Sequence, residues 1–184
     1  MKKLLPFVLC VCLLGCGAGT DATEEALAIR GKLLASECRF RCSITVDYED
    51  ALETFTLDCE SEPEGELEFS VVTPESISGI SGKVDGEEGE LTFDGQILAF
   101  PLLDRNSLSP ISAPWILMQT LRKGCITSVA RTQQGLLLCI DESFGENSRN
   151  LEIQIDGNGI PVAAEISVQG RRVVSMEIEG FTYE

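Results

Sequence analysis

A strict alternation of apolar and polar side chains constrains the fold of this chain more than any other feature. It starts at Cys38, and the apolar positions that follow are Phe40, Cys42, Ile44 and Val46. Successive side chains of a β-strand point to opposite faces, so the pattern predicts a strand with one buried face. Residues 55–59 alternate in the same way and predict its hairpin partner.

The alternation continues in nine further short segments that are separated by turn signals. Asp94-Gly95, for example, is a dipeptide that closes tight hairpins. Together with the first two, these segments predict about eleven strands. The nine lie at residues 67–71, 77–84, 91–93, 97–100, 125–130, 136–140, 151–155, 162–168 and 173–178.

Two segments have helical spacing instead. Residues 22–34 predict a helix before the first strand, and residues 115–123 predict one between the sixth and seventh strands. An antiparallel sheet of eleven strands must curl or close. The sequence therefore predicts an α+β fold, mostly β, in which a strongly curved sheet forms a half-open barrel around the two helices.

Composition narrows the range of functions. The 30 acidic and 14 basic residues give a net charge of −16, which argues against nucleic acid as a partner. The chain has no histidine, which is the commonest metal ligand and proton shuttle. We therefore expect no enzymatic activity, no metal and no cofactor.

The N-terminus has the pattern of an export signal. Lys2 and Lys3 precede an apolar run over residues 4–14, which is shorter than the ~20 residues of a membrane-spanning helix. The run ends in Leu13-Leu14-Gly15-Cys16, which resembles the bacterial lipobox. An ordinary signal peptide with an incidental cysteine is the alternative.

The lipobox resemblance implies a particular organisation of the chain. Residues 1–15 would be removed, Cys16 would be diacylated, and residues 16–21 would form the lipidated cysteine and its tether. Residues 22–184 would then form a single domain. Since two acyl chains hold a protein stably on a bilayer, we expect an exported protein on the outer face of the cell membrane. In a cell with two membranes the anchor would lie on the periplasmic face or in the outer membrane.

The order of helix, six strands, helix and five strands resembles the lipoprotein-carrier fold. That fold is shared by the Lol carrier, its lipid-anchored receptor and mycobacterial glycolipid-binding lipoproteins. Local matches are LTFDGQ at residues 91–96, DGNGIP at residues 156–161 and the closing hairpin at residues 162–179. Residues 108–122 (LSPISAPWILMQTLR) more closely resemble small uncharacterised acidic lipoproteins of gut Firmicutes. The carrier resemblance implies a cavity for an acyl chain.

The second helix is the most apolar helical segment. Adaptable Met and broad Trp side chains would suit contact with a mobile lipid. The candidate ligand-lining residues are Phe100, Trp115, Leu117, Met118 and Leu121. Plain core packing is the alternative for these side chains.

An exported chain can keep disulfide bonds. In the first hairpin, a two-residue turn at Tyr48-Glu49 would place Cys38 opposite Cys59, whereas a turn centred on Asp50-Ala51 would place Cys42 opposite Cys59. The first pairing is preferred because Asp47 and Asp50 would flank the tight turn.

Cys125 and Cys139 could likewise face each other around Thr132. The alternative for all of these cysteines is burial as free, small apolar side chains.

Together these features predict a membrane-anchored bacterial lipoprotein without enzymatic activity. Its expected partners are the membrane, through acylated Cys16, and a lipid or other apolar ligand in a cavity between sheet and helices. The alternative is a structural or interaction lipoprotein with a filled core, which would contact another envelope protein through its acidic face or an edge strand.

Overall fold

The computed structural model describes residues 18–49, 51–86, 88–101, 109–142 and 149–184. It contains helices α1 (Ala18–Ala35) and α2 (Ser112–Lys123). The strands are β1 (Cys38–Asp47), β2 (Leu52–Ser61), β3 (Leu67–Thr73), β4 (Ser81–Asp85), β5 (Glu88–Phe93), β6 (Gln96–Pro101), β7 (Cys125–Thr132), β8 (Gly135–Glu142), β9 (Arg149–Asp156), β10 (Pro161–Val168) and β11 (Arg171–Tyr183).

All eleven strands belong to one antiparallel sheet. Their order is β6-β5-β4-β3-β2-β1-β11-β10-β9-β8-β7, so each strand pairs with its neighbour in sequence and β1 also pairs with β11. β6 and β7 are the two edges, and within the described ranges they do not pair with each other. The predicted α+β class, with an open curved sheet and two helices, is confirmed.

Local sequence explains the connections. Asp94 and Gly95 have φ angles of 49° and 74°, the left-handed conformation that a tight hairpin turn requires at both positions. In the turn after β9, the Asp156 carboxylate accepts hydrogen bonds from the backbone N–H groups of Asn158 and Ile160, each at 2.9 Å. The predicted 77–84 strand is shorter than expected, because a 3-10 turn (Glu75–Ile77) and Gly79, with a φ of 88°, precede β4.

The hydrophobic core lies between the helices and one face of the sheet. On α1, Ala26 and Leu33 are buried, and on α2, Leu117 and Met118 are fully buried. Each buried Leu or Met side chain among these contributes roughly 1.5–3 kcal/mol through removal from water. α1 packs mainly on α2, β7 and β8, and α2 packs mainly on α1, β2 and β8.

α1 begins earlier than the sequence predicts. It starts at Ala18, so residues 18–21, which were expected to belong to the tether, are helical. The predicted signal peptide over residues 1–15 and the predicted lipidation site Cys16 lie outside the described residues.

The predicted facing cysteines are wrong in register. Cys38 lies opposite Ser61 and Cys59 lies opposite Phe40, because β1 and β2 are joined by a four-residue turn that the Asp47–Leu52 pair closes. Cys59 is therefore diagonal to both Cys38 and Cys42.

The second predicted pair is also displaced. Cys125 lies opposite Asp141 and Cys139 lies opposite Ser128, because the Thr132–Gly135 pair closes the hairpin around Gln133-Gln134 instead of a turn centred on Thr132. The five described cysteines are free thiols: Cys38, Cys42, Cys59, Cys125 and Cys139.

Candidate functional site

One row of apolar positions crosses six strands on the helix-facing side of the sheet. Each member lies directly opposite the next across a strand pair, and the Phe40 ring stacks on Phe181 at 5.4 Å. We call this set the apolar row. Its members are Phe40, Cys59, Phe69, Gly82, Leu91 and Leu98.

Burial decreases along the apolar row towards the β6 edge. Phe69 is 4% exposed, Leu91 is partly buried and Leu98 is 65% exposed. Phe93 lies two residues beyond Leu91, hence on the same face of β5, and is 59% exposed. We call Leu91, Phe93 and Leu98 the open end of the sheet.

The size of the helices explains the open end. Ten gaps of about 4.8 Å between strands give a sheet about 48 Å wide. α1 and α2 are about 27 and 18 Å long, and a helix is only about 10 Å in diameter. Since α1 packs mainly on β7 and β8, and α2 packs mainly on β2 and β8, little cover remains for β5 and β6.

Gly82 brings the sheet backbone close to an aromatic ring within the apolar row. A Cβ at this position would lie 2.6 Å from Cζ of Phe69 and 2.3 Å from the Glu90 carbonyl oxygen. The Phe69 ring therefore lies over β4, and Phe69 is the last buried side chain of the apolar row before Leu91. The glycine is needed here for close approach rather than for an unusual φ.

The structure places most of the predicted ligand-lining residues in the core. Leu117 and Met118 are 0% exposed and Leu121 is 2% exposed. Trp115 is partly buried, and its Nε1 donates a hydrogen bond to the Gly65 carbonyl oxygen at 2.9 Å. A ligand-lining role for these residues stays a prediction.

Phe100 lies apart from α2 in the sheet. Its backbone is on β6, opposite Gly89. The Phe100 side chain lies outside the part of the molecule that the structure describes.

The opposite face of the sheet is polar and carries an open depression of about 850 Å³. Its cations are already paired: Arg41 donates to both Asp58 oxygens at 2.7 and 2.9 Å, and Lys83 pairs with Glu66. None of the α2 residues lines it. Such exposed pairs contribute little to stability and leave a solvated, acidic surface.

Arg39 lies in the same depression beside a group of acidic side chains. It forms ion pairs with Glu37 at 3.0 Å and Glu60 at 3.1 Å. Glu37, Glu60 and Glu62 place carboxylate oxygens within 4.8 Å of one another. The Arg39 guanidinium supplies the positive charge that this cluster requires, so the cluster has a local explanation without a metal ion.

Arg122 is a buried cation that the sequence analysis did not single out. It is 2% exposed and lies in the last turn of α2. Its guanidinium donates to the carbonyl oxygens of Leu33, Glu62 and Ser61 at 2.9, 2.6 and 3.2 Å, and to Ser61 Oγ at 2.8 Å. Arg122 thereby ties α1, α2 and the β2–β3 connection together.

Burial also governs the chemistry of the cysteines. Desolvation raises the pKa of Cys42 to about 12 and raises the pKa of Cys59 well above its ordinary value. For Cys38, desolvation raises the pKa although the nearby Arg122 guanidinium opposes the change. Because the thiolate is the reactive form, these three thiols are poorly suited to act as nucleophiles.

No protein-family model and no curated protein matches the chain. Among solved structures, a DUF1329 family protein from Desulfovibrio piger matches with a TM-score of 0.51 at 7% identity, covering 90% of this chain and 92% of that chain. A LolA superfamily protein from Nitrosomonas europaea matches at 0.46 and 10% identity, covering 86% and 93%. The Mycobacterium tuberculosis lipoprotein LppX matches at 0.41 and 12% identity, covering 88% and 93%.

The similarity to the DUF1329 family protein shows a common fold. By their names, the other two matches are a LolA superfamily protein and a mycobacterial lipoprotein. The resemblance to Firmicutes lipoproteins stays a prediction. Of the helices in the described ranges, neither α1 nor α2 is long and apolar enough to cross a membrane.

Proposed function

We propose that this chain is a non-enzymatic lipoprotein of the bacterial cell envelope that binds the acyl chain of a lipid, or a similar apolar ligand, at its open end. The observation that carries the proposal is the decrease in burial along the apolar row, from 4% at Phe69 to 65% at Leu98. A ligand that continues the row would cover apolar side chains that the two helices leave in water.

The expected gain in binding free energy is modest for each side chain. Full burial of a Leu or Phe side chain is worth roughly 1.5–3 kcal/mol, so covering the exposed parts of Leu98 and Phe93 would contribute about 1–2 kcal/mol each. Ordered binding therefore requires contact with several members of the open end at once. An extended acyl chain fits a flat row of this kind better than a compact polar ligand does.

The proposed location rests on the N-terminal sequence. Lys2 and Lys3, the short apolar run and Leu13-Leu14-Gly15-Cys16 support export, cleavage before Cys16 and acylation of that residue. Metabolic labelling with palmitate tests this step. We expect label in the wild-type chain and none in Cys16→Ser, whereas equal label in both chains would contradict anchoring through Cys16.

Native mass spectrometry after incubation with mixed phospholipids tests ligand binding. The segment 17–184 is suitable because it contains every described helix and strand, from α1 to β11. We expect a discrete added mass that corresponds to one lipid. The lipid released from that species would identify the ligand class.

A matched pair of variants locates the site. Leu98 and Ile97 are neighbours on β6 with similar exposure, 65% and 68%, but they lie on opposite faces of the sheet. We expect Leu98→Ser to weaken lipid binding about 10-fold and Ile97→Ser to leave it unchanged.

Equal effects of the two substitutions would contradict a site at the open end. A mass without added lipid under all conditions would contradict ligand binding itself. The alternative of a filled-core envelope protein that acts by contact with another protein would then be favoured.

A further inference from the structure

β6 is an edge strand without charged side chains, and Pro101 at its end is its one residue of a type that commonly protects edges against pairing. It reads Gln-Ile-Leu-Ala-Phe-Pro and contains no Asp, Glu, Lys or Arg, whereas each of the other ten strands contains at least one. Natural sheets commonly place charges on their edges to prevent contact with other strands. In a chain with a net charge of −16, an uncharged edge is therefore unusual.

The register of the β5–β6 hairpin determines which backbone groups of β6 are free. Phe93 pairs with Gln96 across a two-residue turn, and Leu91 pairs with Leu98. In such a hairpin the closing pair exchanges both backbone hydrogen bonds, and bonded and non-bonded pairs then alternate. The N–H and C=O groups of Ile97 and Ala99 therefore point away from β5.

The side chains on this edge are apolar on both faces of the sheet. Ile97 and Leu98 point to opposite faces and are 68% and 65% exposed. Among the described residues, no segment pairs with the outer side of β6. A partner strand along this edge would cover apolar surface on both faces at once.

We propose that β6 pairs antiparallel with β6 of a second copy of this chain and joins the two sheets into one. The free groups favour one register, in which Ile97 of one copy lies opposite Ala99 of the other and Leu98 lies on the two-fold axis. Each Ile97–Ala99 pair exchanges two backbone hydrogen bonds, so the interface contains four. A shift by two residues in one direction would leave backbone groups of Ala99 without a strand partner. A shift in the other direction would place Ile97 opposite Pro101, which has no N–H.

The free backbone groups of Ile97 and Ala99 are complementary to the same groups of an identical strand, which favours a second copy as the occupant. A basic partner would be drawn to the acidic surfaces of the chain rather than to a strand without carboxylates. Two copies repel each other over most of their surface because both are acidic, and β6 is the strand at which they can meet without bringing charges together. The backbone hydrogen bonds of this pairing are made by Ile97 and Ala99 and need no lipid, whereas Leu98 belongs both to the interface and to the open end.

Cysteine cross-linking tests both the interface and its register. In the proposed dimer the two Leu98 side chains face each other in a non-hydrogen-bonded pair, where Cβ atoms are about 4.5–5.5 Å apart. We expect Leu98→Cys in segment 17–184 to form an inter-chain disulfide under mild oxidation with diamide. Both cross-linking chains also carry Cys125→Ser, since Cys125 is an exposed thiol.

Ile97→Cys is the matched control, because Ile97 is equally exposed but faces Ala99 of the other copy. We expect it to cross-link at least ~10-fold more slowly than Leu98→Cys. Similar rates for the two chains, or no cross-link in either, would overturn the proposed register.

Sedimentation equilibrium tests the association without a cross-link. We expect a reversible shift from the mass of one chain to that of two as concentration rises, and Ile97→Lys should raise the dissociation constant at least ~10-fold more than Ile97→Thr does. A wild-type chain that stays monomeric at all concentrations would overturn the proposal. So would equal effects of Lys and Thr.

Discussion

The covered part of the sheet and its open end are built from the same alternating pattern but reach different outcomes. Around β2, β7 and β8 the apolar face meets α1 and α2, and residues such as Leu117 are removed from water completely. At β5 and β6 the same face ends in exposed Phe93 and Leu98. Alternation therefore predicts which side chains face the concave side, whereas the position of the helices decides which of them become core.

The comparison also separates stability from binding. Side chains in the covered part have no surface left to offer a ligand, so their substitution should mainly lower the free energy of unfolding. Phe93 and Leu98 at the open end are mostly exposed, so their substitution should mainly alter binding. Four changes test this division, in order of decreasing expected effect.

Leu117→Ala should have the largest effect on stability. Leu117 is fully buried on α2, and its truncation removes apolar contact and leaves a cavity in the core. We expect a loss of about 3 kcal/mol in the free energy of unfolding, measured by urea denaturation. A loss below about 1 kcal/mol would indicate that α2 is not packed in the core as described.

Arg122→Met should have a similarly large effect on stability. Methionine retains much of the side-chain volume but none of the donors, so the carbonyl oxygens of Leu33, Ser61 and Glu62 lose their partner. We expect a loss of about 3 kcal/mol in the free energy of unfolding. Arg122→Lys, which keeps the charge and part of the hydrogen bonding, is the control and should cost less. Equal stability of Arg122→Met and wild type would contradict the bridging role.

Alkaline pH should destabilise the chain through Cys42. Burial raises the pKa of this thiol from about 9 to about 12, so the folded state favours the protonated form. The contribution of the Cys42 thiol to the free energy of unfolding is therefore fully present below pH 9, and it is lost as pH rises from 9 to 12. At pH 11 the loss is about 2–3 kcal/mol.

Urea denaturation of wild type and Cys42→Ala at pH 8, 10 and 11 checks this dependence. The variant should lose less stability between pH 8 and pH 11 than wild type, even if it is less stable at every pH. Identical pH dependence in both chains would show that the Cys42 thiol ionises as easily in the folded as in the unfolded chain.

Leu98→Ala should have the smallest effect on stability. Leu98 has most of its surface in water, so its truncation should change the free energy of unfolding by less than about 0.5 kcal/mol. The measurement is the same urea titration as for Leu117→Ala, which provides the buried counterpart. A loss comparable to that of Leu117→Ala would mean that the open end is part of the core in solution.

Much of the architecture could be predicted from the sequence because its signals are local. Period-two alternation from Cys38 onward predicts the strands, and Asp94-Gly95 predicts a hairpin turn that the positive φ angles confirm. The strand register was harder to predict. Shifting one strand by two residues along its partner keeps the same side chains on the buried face. Alternation therefore cannot distinguish among such registers.

The open end could not be predicted because it depends on tertiary contacts. Alternation assigns Leu91 and Leu98 to the apolar face, but it does not say which strands the helices cover. The apolar composition of α2 was compatible with two interpretations, a ligand-lining role for Trp115, Met118 and Leu121 or plain core packing. In the structure Met118 and Leu121 fill the core, while Arg122, a polar residue among them, makes the long-range contacts.

Residue-resolved NMR during a titration with a single-chain phospholipid tests the account most directly. With methyl and aromatic labels, the signals of Leu91, Phe93 and Leu98 should shift in a saturable manner while those of Leu117, Met118 and Leu121 stay in place. Shifts confined to the α2 residues would contradict the account, because they would place the ligand inside the covered part of the sheet.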